Sequence, residues 1–130
     1  MVQVLYSLLQ RVSTDLAAFL EKILPQLSDD WWNKAVVNIL SFQQKRRVEQ
    51  HNITSLGGLD LAALLRIFDQ NWYQISSSLD LTAEDRHFVK EMQTVRNRWA
   101  HANTDGFPID DIYRDLDTLQ RFAVVIGADD

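Results

Sequence analysis

The chain has 130 residues, a length that suits one ordinary domain able to bury a core without covalent staples. It contains no cysteine, which excludes a disulfide framework, a zinc-thiolate site and a cysteine nucleophile. The net charge of −5, from 13 basic and 18 acidic residues, argues against a broad nonspecific nucleic-acid binder, and no apolar run approaches the ~18 residues of a membrane span.

The start, Met1 to Leu9, lacks the basic region and cleavage site of a signal peptide, so a cytoplasmic protein is expected. Helix-period apolar stripes run nearly end to end. The first helix, over residues 2–25, carries Leu5, Leu8, Leu9, Val12, Leu16, Phe19, Leu20 and Ile23, and Pro25 ends it. Ser28 or Asp29 caps a second, over 30–48, with Trp32, Ala35, Val36, Ile39 and Leu40 inward. Lys45-Arg46-Arg47 stand near its C-terminus, where cations suit the helix dipole. His51 to Gly58 reads as a loop. Asp60 caps a third helix carrying Leu61, Leu64, Leu65, Phe68, Trp72 and Ile75. Thr82-Ala83-Glu84-Asp85 is close to a capping box and opens the fourth. Asn103 to Gly106 breaks it, and Pro108 starts a fifth with Ile112, Tyr113, Leu116, Leu119, Ala123 and Ile126 inward. No alternating strand pattern or repeat is visible. The expectation is an all-α, antiparallel five-helix bundle filling residues 1–130 as a single domain, read as the N-terminal fragment of a longer protein or as a complete chain.

The fourth helix carries the chemistry. Phe88, Met92, Val95 and Trp99 fall within about 60° of one another and form its core stripe. Arg86, Lys90, Thr94, Asn97 and His101 make the opposite, polar stripe, with Arg96 and Arg98 on the two flanks. Such a stripe can be simply the solvated face of a surface helix. Three features point further: Arg96 is followed at once by Asn97 and, five residues on, by His101; the histidine sits in the last turn; and Trp99 and Ala100 pack the stretch between. A histidine transfers a proton near neutral pH. An arginine holds two phosphate oxygens and neutralises charge as a transition state develops, and an asparagine orients either group by hydrogen bonding. Together they suit phosphodiester cleavage by an RNA's own 2′-hydroxyl, with no metal ligand set and no cofactor required. Arg96 and His101 are about 140° apart on an ideal helix. Two copies of the helix across a twofold axis would converge them. Arg86, Lys90 and Arg98 make a locally basic strip expected to attract RNA phosphates.

The stretch Arg96-Asn97-Arg98-Trp99-Ala100-His101 resembles the signature of the HEPN domain family: arginine, a polar residue, a short spacer and histidine. The closer likeness is to a subfamily found at the front of phage-defence ATPases and helicases, and fused to a eukaryotic nuclear mRNA-surveillance endoribonuclease. Trp31-Trp32 with Ala35-Val36, Leu59-Asp60 through Leu65 with Trp72, and Asp110 to Thr118 agree with it over most of residues 15–128. The resemblance implies a helical bundle, a homodimer and metal-independent endoribonuclease activity leaving a 2′,3′-cyclic phosphate. In it Arg96 and His101 would be catalytic, with Asn97 as the polar helper. It implies a role in prokaryotic defence or stress response, and as further partners a larger ATPase or helicase, or an antitoxin-like regulator. The toxin branch that pairs with nucleotidyltransferase antitoxins has a tyrosine two places after the histidine, where this chain has Asn103. The alternative is a noncatalytic HEPN dimerisation or RNA-binding domain of a larger ATPase or nuclease; from another class, a plain helical adaptor.

His51 follows the basic triplet and is read as a solvated loop residue or an aid in holding RNA. His87 is read as a surface or half-buried residue. Asp110 and Asp111 favour the positive N-terminus of the fifth helix more simply than a metal.

Overall fold

The computed structural model describes residues 2–100 and 109–127. Among them are six α-helices: α1 (Val2–Ile23), α2 (Phe42–His51), α3 (Leu61–Gln70), α4 (Trp72–Leu79), α5 (Ala83–Ala100) and α6 (Ile109–Val125). Tight 3-10 turns at Leu24–Gln26 and Leu56–Gly58 and a π-helical stretch at Trp32–Val37 complete the path. No strand occurs among the described residues, so the expected all-α bundle is the architecture found.

The core forms because each long helix supplies one apolar stripe. Leu5, Leu16, Leu20 and Leu24 are fully enclosed from the first helix and its end; Leu64, Leu65, Ile67 and Phe68 from α3; Val89 and Met92 from α5; Phe122 from α6. Side-chain pairs show the packing direction. Arg98 meets Asp115, Glu91 meets Thr118 and Phe88 meets Arg121, so α5 and α6 run antiparallel. Local chemistry starts the helices as expected at two places. The Asp60 carboxylate accepts from the Ala63 amide at 2.9 Å. Thr82 and Asp85 bond reciprocally, the Thr82 amide to the carboxylate at 2.9 Å and the Asp85 amide to the hydroxyl at 3.2 Å.

Two expected helices are each divided. The second breaks after the π-helical stretch because Ser41 and Gln44 form a complete capping box that starts α2 afresh. The basic triplet therefore lies in the middle of α2 rather than near a helix end. The third breaks at Asn71, which sits at φ −99°, ψ 17°. The Asn71 amide is drawn to the carbonyls of Ala35 and Ile67 at 2.9 and 2.8 Å, which ties the π-helical stretch to the α3–α4 junction. The α5 stripe also shifts by one position. Val89, on the flank facing α3, is fully buried, while Phe88 is half-buried with the Arg121 guanidinium 5.6 Å from its ring. In α6, Tyr113 points outward at 59% exposure, and Phe122 takes the inward place. Val95 and Trp99 are buried as expected.

The buried polar groups are few and all satisfied among the described residues. The most consequential is Asp115, 1% exposed in the middle of the apolar face of α6. Its carboxylate accepts two bonds from the Arg98 guanidinium, at 2.8 and 3.0 Å, and one from the Trp99 indole at 2.7 Å. On the other side of Trp99 lies Tyr6 of α1, its ring edge-on at 5.4 Å and its hydroxyl donating to the Trp99 carbonyl at 3.2 Å. Asp115→Ala would leave a buried indole N–H and a guanidinium without their acceptor. It is expected to cost about 2–4 kcal/mol, below the fully buried range because Arg98 keeps some solvent. Urea denaturation reads this directly. Asp115→Asn, which keeps an acceptor for the indole, should fall between the two, and an unchanged midpoint in Asp115→Ala would deny the carboxylate its anchoring role.

Candidate functional site

The motif begins on the last two turns of α5. Arg96, Asn97, Arg98 and Trp99 are described with their side chains, and α5 is described as far as Ala100; His101 lies outside the described residues. Asn103 to Gly106 and Pro108 lie outside them as well.

Arg96 and Arg98 leave α5 on opposite flanks and meet different surroundings. Arg98 faces α6 and is engaged by Asp115. Arg96, half-buried, faces α2 and α3, where two shallow grooves adjoin along its side chain. The larger, about 560 Å³, runs between α2 and the start of α3 and is lined by Gln44, Arg46, Arg47, Gln50 and His51. The smaller, about 250 Å³, continues between α3 and α5 past Arg66, Gln70, Gln93 and Asn97. The nearest polar contact of Arg96 is to the Asn97 side-chain oxygen at 3.4 Å, a long bond that a phosphate oxygen would readily replace.

The cations of the chain fall into two groups. Arg11, Arg86, Lys90, Arg98 and Arg121 have carboxylate partners within 4 Å. That leaves eight of the thirteen lysines and arginines without one among the described residues, and four of the eight, Arg46, Arg47, Arg66 and Arg96, line the two grooves. Arg86 and Lys90 were expected on an RNA-binding strip. The structure brings both to the buried Asp69 of α3, at 3.1 and 3.3 Å. The hydrogen bond to Asp69 raises the Arg86 pKa still further above its ordinary high value, and contact with Tyr73 adds to it, so the guanidinium stays charged at any physiological pH. Arg98, expected to attract phosphate, is likewise committed to a buried carboxylate. Of the cations proposed from sequence, Arg96 is the one without a carboxylate partner among the described residues, and Asn97 beside it is exposed.

Sequence reasoning missed two things. It did not place α2 beside Arg96, because nothing in the local pattern says which helix packs near which. It also passed over Asp69 and Asp115, although each left a signal. Asp69 lies at helical spacing from Leu65 and Trp72, and Asp115 from Ile112 and Leu119, so each is a lone carboxylate on an apolar face that demands a partner. Among the described residues no group of three or more histidine, aspartate or glutamate side chains could hold a metal, and no helix is long and apolar enough to cross a membrane.

Comparison with known proteins gives one informative result. The model of the family described as Swt1-like HEPN matches residues 7–127. No curated protein and no solved structure matches significantly. The family match spans almost the whole chain, a helical bundle with no strand among the described residues is the fold it calls for, and the motif's arginine–asparagine pair lies in the last turns of α5; the chain belongs to the Swt1-like HEPN family.

Proposed function

We propose that this protein is a metal-independent endoribonuclease module that cleaves single-stranded RNA at a site composed from two copies of the chain, acting in prokaryotic defence or stress response. The observation that carries the reading is Arg96. It is the motif arginine, it stands half-buried at the meeting of two grooves, and it has no carboxylate partner among the described residues. A structural arginine at such a position would be expected to hold an internal carboxylate, as Arg98 does two residues later.

In the proposed reaction the RNA 2′-hydroxyl attacks the adjacent phosphorus while His101 of one copy removes its proton. The P–O5′ bond breaks, a proton passes to the departing 5′-oxygen, and a 2′,3′-cyclic phosphate remains. Arg96 binds the non-bridging oxygens, whose negative charge grows in the transition state, so its contribution is largest there. Asn97 holds the guanidinium or a phosphate oxygen in line. Arg98 and Asp115 serve the site indirectly, by fixing the end of α5 from which the motif projects.

His101→Ala is expected to lower the cleavage rate on the order of 10²- to 10⁴-fold, and Arg96→Ala by a comparable factor. Asn97→Ala should be milder. The assay is single-stranded RNA cleavage with a chelator present, and DNA of the same sequence should stay intact because it lacks the nucleophile. Equal activity in wild type and His101→Ala would eliminate the mechanism. A well-folded wild type that cuts no RNA would leave the dimerisation or RNA-binding module as the better reading.

The composite site has its own test. The protein is expected to sediment as a twofold dimer at micromolar concentration. Mixing the inactive Arg96→Ala and His101→Ala chains should then restore about a quarter of wild-type activity, since random pairing gives half mixed dimers with one intact site each. A strict monomer, or a mixture as inactive as its parts, would show that each chain works alone.

A further inference from the structure

Helix α2 contributes almost nothing to the core. None of its residues is fully buried, and its sequence, Phe42-Gln43-Gln44-Lys45-Arg46-Arg47-Val48-Glu49-Gln50-His51, offers only Val48 to the interior. A helix polar nearly all round is not held in place for its packing. Its groove face is built from Gln43, Arg46, Arg47, Gln50 and His51, which recur at the three- and four-residue spacing of one side of a helix. The one acidic side chain lining the same groove, Asp60, already accepts from the amide of Ala63 and so is turned to the start of α3. At the N-terminal end of α2, Phe42 is 74% exposed, and the Arg46 guanidinium lies 6.0 Å from its ring.

We propose that the groove between α2 and α3 is the track along which single-stranded RNA reaches Arg96, with Arg46 and Arg47 holding successive phosphates, His51 adding a polar contact and Phe42 stacking a base at the outer end. The proposal rests on the nuclease reading for its direction, since it takes Arg96 as the arginine at the scissile phosphate. Three observations favour RNA over an acidic polypeptide. The cations are continuous with Arg96 along one groove. An aromatic ring stands in the open beside an arginine, the pairing that single-stranded bases and their phosphates use together. Gln43 and Gln50 line the same wall and can both donate and accept, which suits base edges and ribose hydroxyls rather than carboxylates alone. The track also explains how a chain of net charge −5 would bind a polyanion: four of the five arginines without a carboxylate partner among the described residues line the two adjoining grooves.

The test separates binding from cleavage by using a short fluorescein-labelled oligouridine with methylated 2′-hydroxyls, which cannot be cut. Its affinity is measured by anisotropy over a range of salt concentrations. Arg46→Ala with Arg47→Ala should weaken binding about tenfold or more and flatten the log–log salt dependence by about 1.4, for two lost contacts on a single strand. Phe42→Ala should weaken the single strand about tenfold and leave a duplex of the same sequence unaffected. Lys22→Ala with Lys34→Ala, which removes two exposed charges outside the groove, should change affinity less than twofold; circular dichroism checks that each variant is folded. Polyglutamate of matched charge should compete poorly. An Arg46/Arg47 double variant with unchanged affinity and salt slope overturns the track, as does polyglutamate competing as well as RNA. The outcome is independent of catalysis: binding that needs Arg46 and Arg47 in a protein that cuts nothing supports the track while removing the nuclease, and wild-type cleavage with unaltered binding in the double variant removes the track alone.

Discussion

A single buried carboxylate governs how the end of α5 is presented. Asp115 is surrounded by the apolar face of α6, where an unpaired charge would cost several kilocalories per mole. It is satisfied only if Trp99 turns its indole N–H inward and Arg98 folds across to it. Those two requirements fix the rotation of α5 about its own axis at the last described turn. Tyr6 then closes over Trp99 from α1, so three helices meet at one side chain. With Arg98 held against α6, Arg96 must leave on the opposite flank, toward α2 and α3. The exposure of the motif arginine is in this sense a consequence of the burial of its neighbour.

Asp69 repeats the device on the α3 side. It takes up Arg86 and Lys90, which would otherwise spread positive charge along the polar stripe of α5. The two buried aspartates therefore sort the cations of α5 into those that hold helices together and one that does not. The result is a protein acidic in total in which Arg46, Arg47 and Arg96, without carboxylate partners among the described residues, line one groove. In the proposed nuclease this arrangement would favour selectivity, because a concentrated track would orient a strand where a diffuse basic surface would merely collect it.

The histidine and the arginine of the motif illustrate why a second copy of the chain is an economical answer to a geometric problem. On an ideal helix a five-residue spacing sets two side chains about 140° apart, so one straight helix alone would not converge them. In the proposed dimer the groove side of α5 would accommodate a strand beside Arg96, and a twofold partner would bring its histidine to the same phosphate without distorting either helix. The peripheral position of α2, with Phe42 and the arginines outward, keeps that approach open from the side away from the core.

Much of this was determined by sequence alone. The α-helical class, the apolar stripes of α1 and α3, the caps at Asp60 and Thr82, and the burial of Val95 and Trp99 all follow from local periodicity and short-range hydrogen bonding, which act within a turn or two of chain, and the spacing of Arg96, Asn97 and His101 is read directly from the sequence. The capping box at Ser41 and Gln44 was equally local, and its Ser-x-x-Gln spacing was there to be read. What only the tertiary structure decided depends on contacts across long stretches of chain. Asn71 kinks one helix into two because its amide reaches the carbonyl of Ala35 in another element. Val89 rather than Phe88 is enclosed because α3 packs on that flank. Arg86, Lys90 and Arg98 lie on a helix surface that looks free in isolation, yet each finds a carboxylate on a neighbouring helix. Arg46 and Arg47 reach the groove of Arg96 although about fifty residues of chain separate them from it. Periodicity says which side of a helix faces inward; only the packing of the whole chain says which charges meet there and which are left to face solvent.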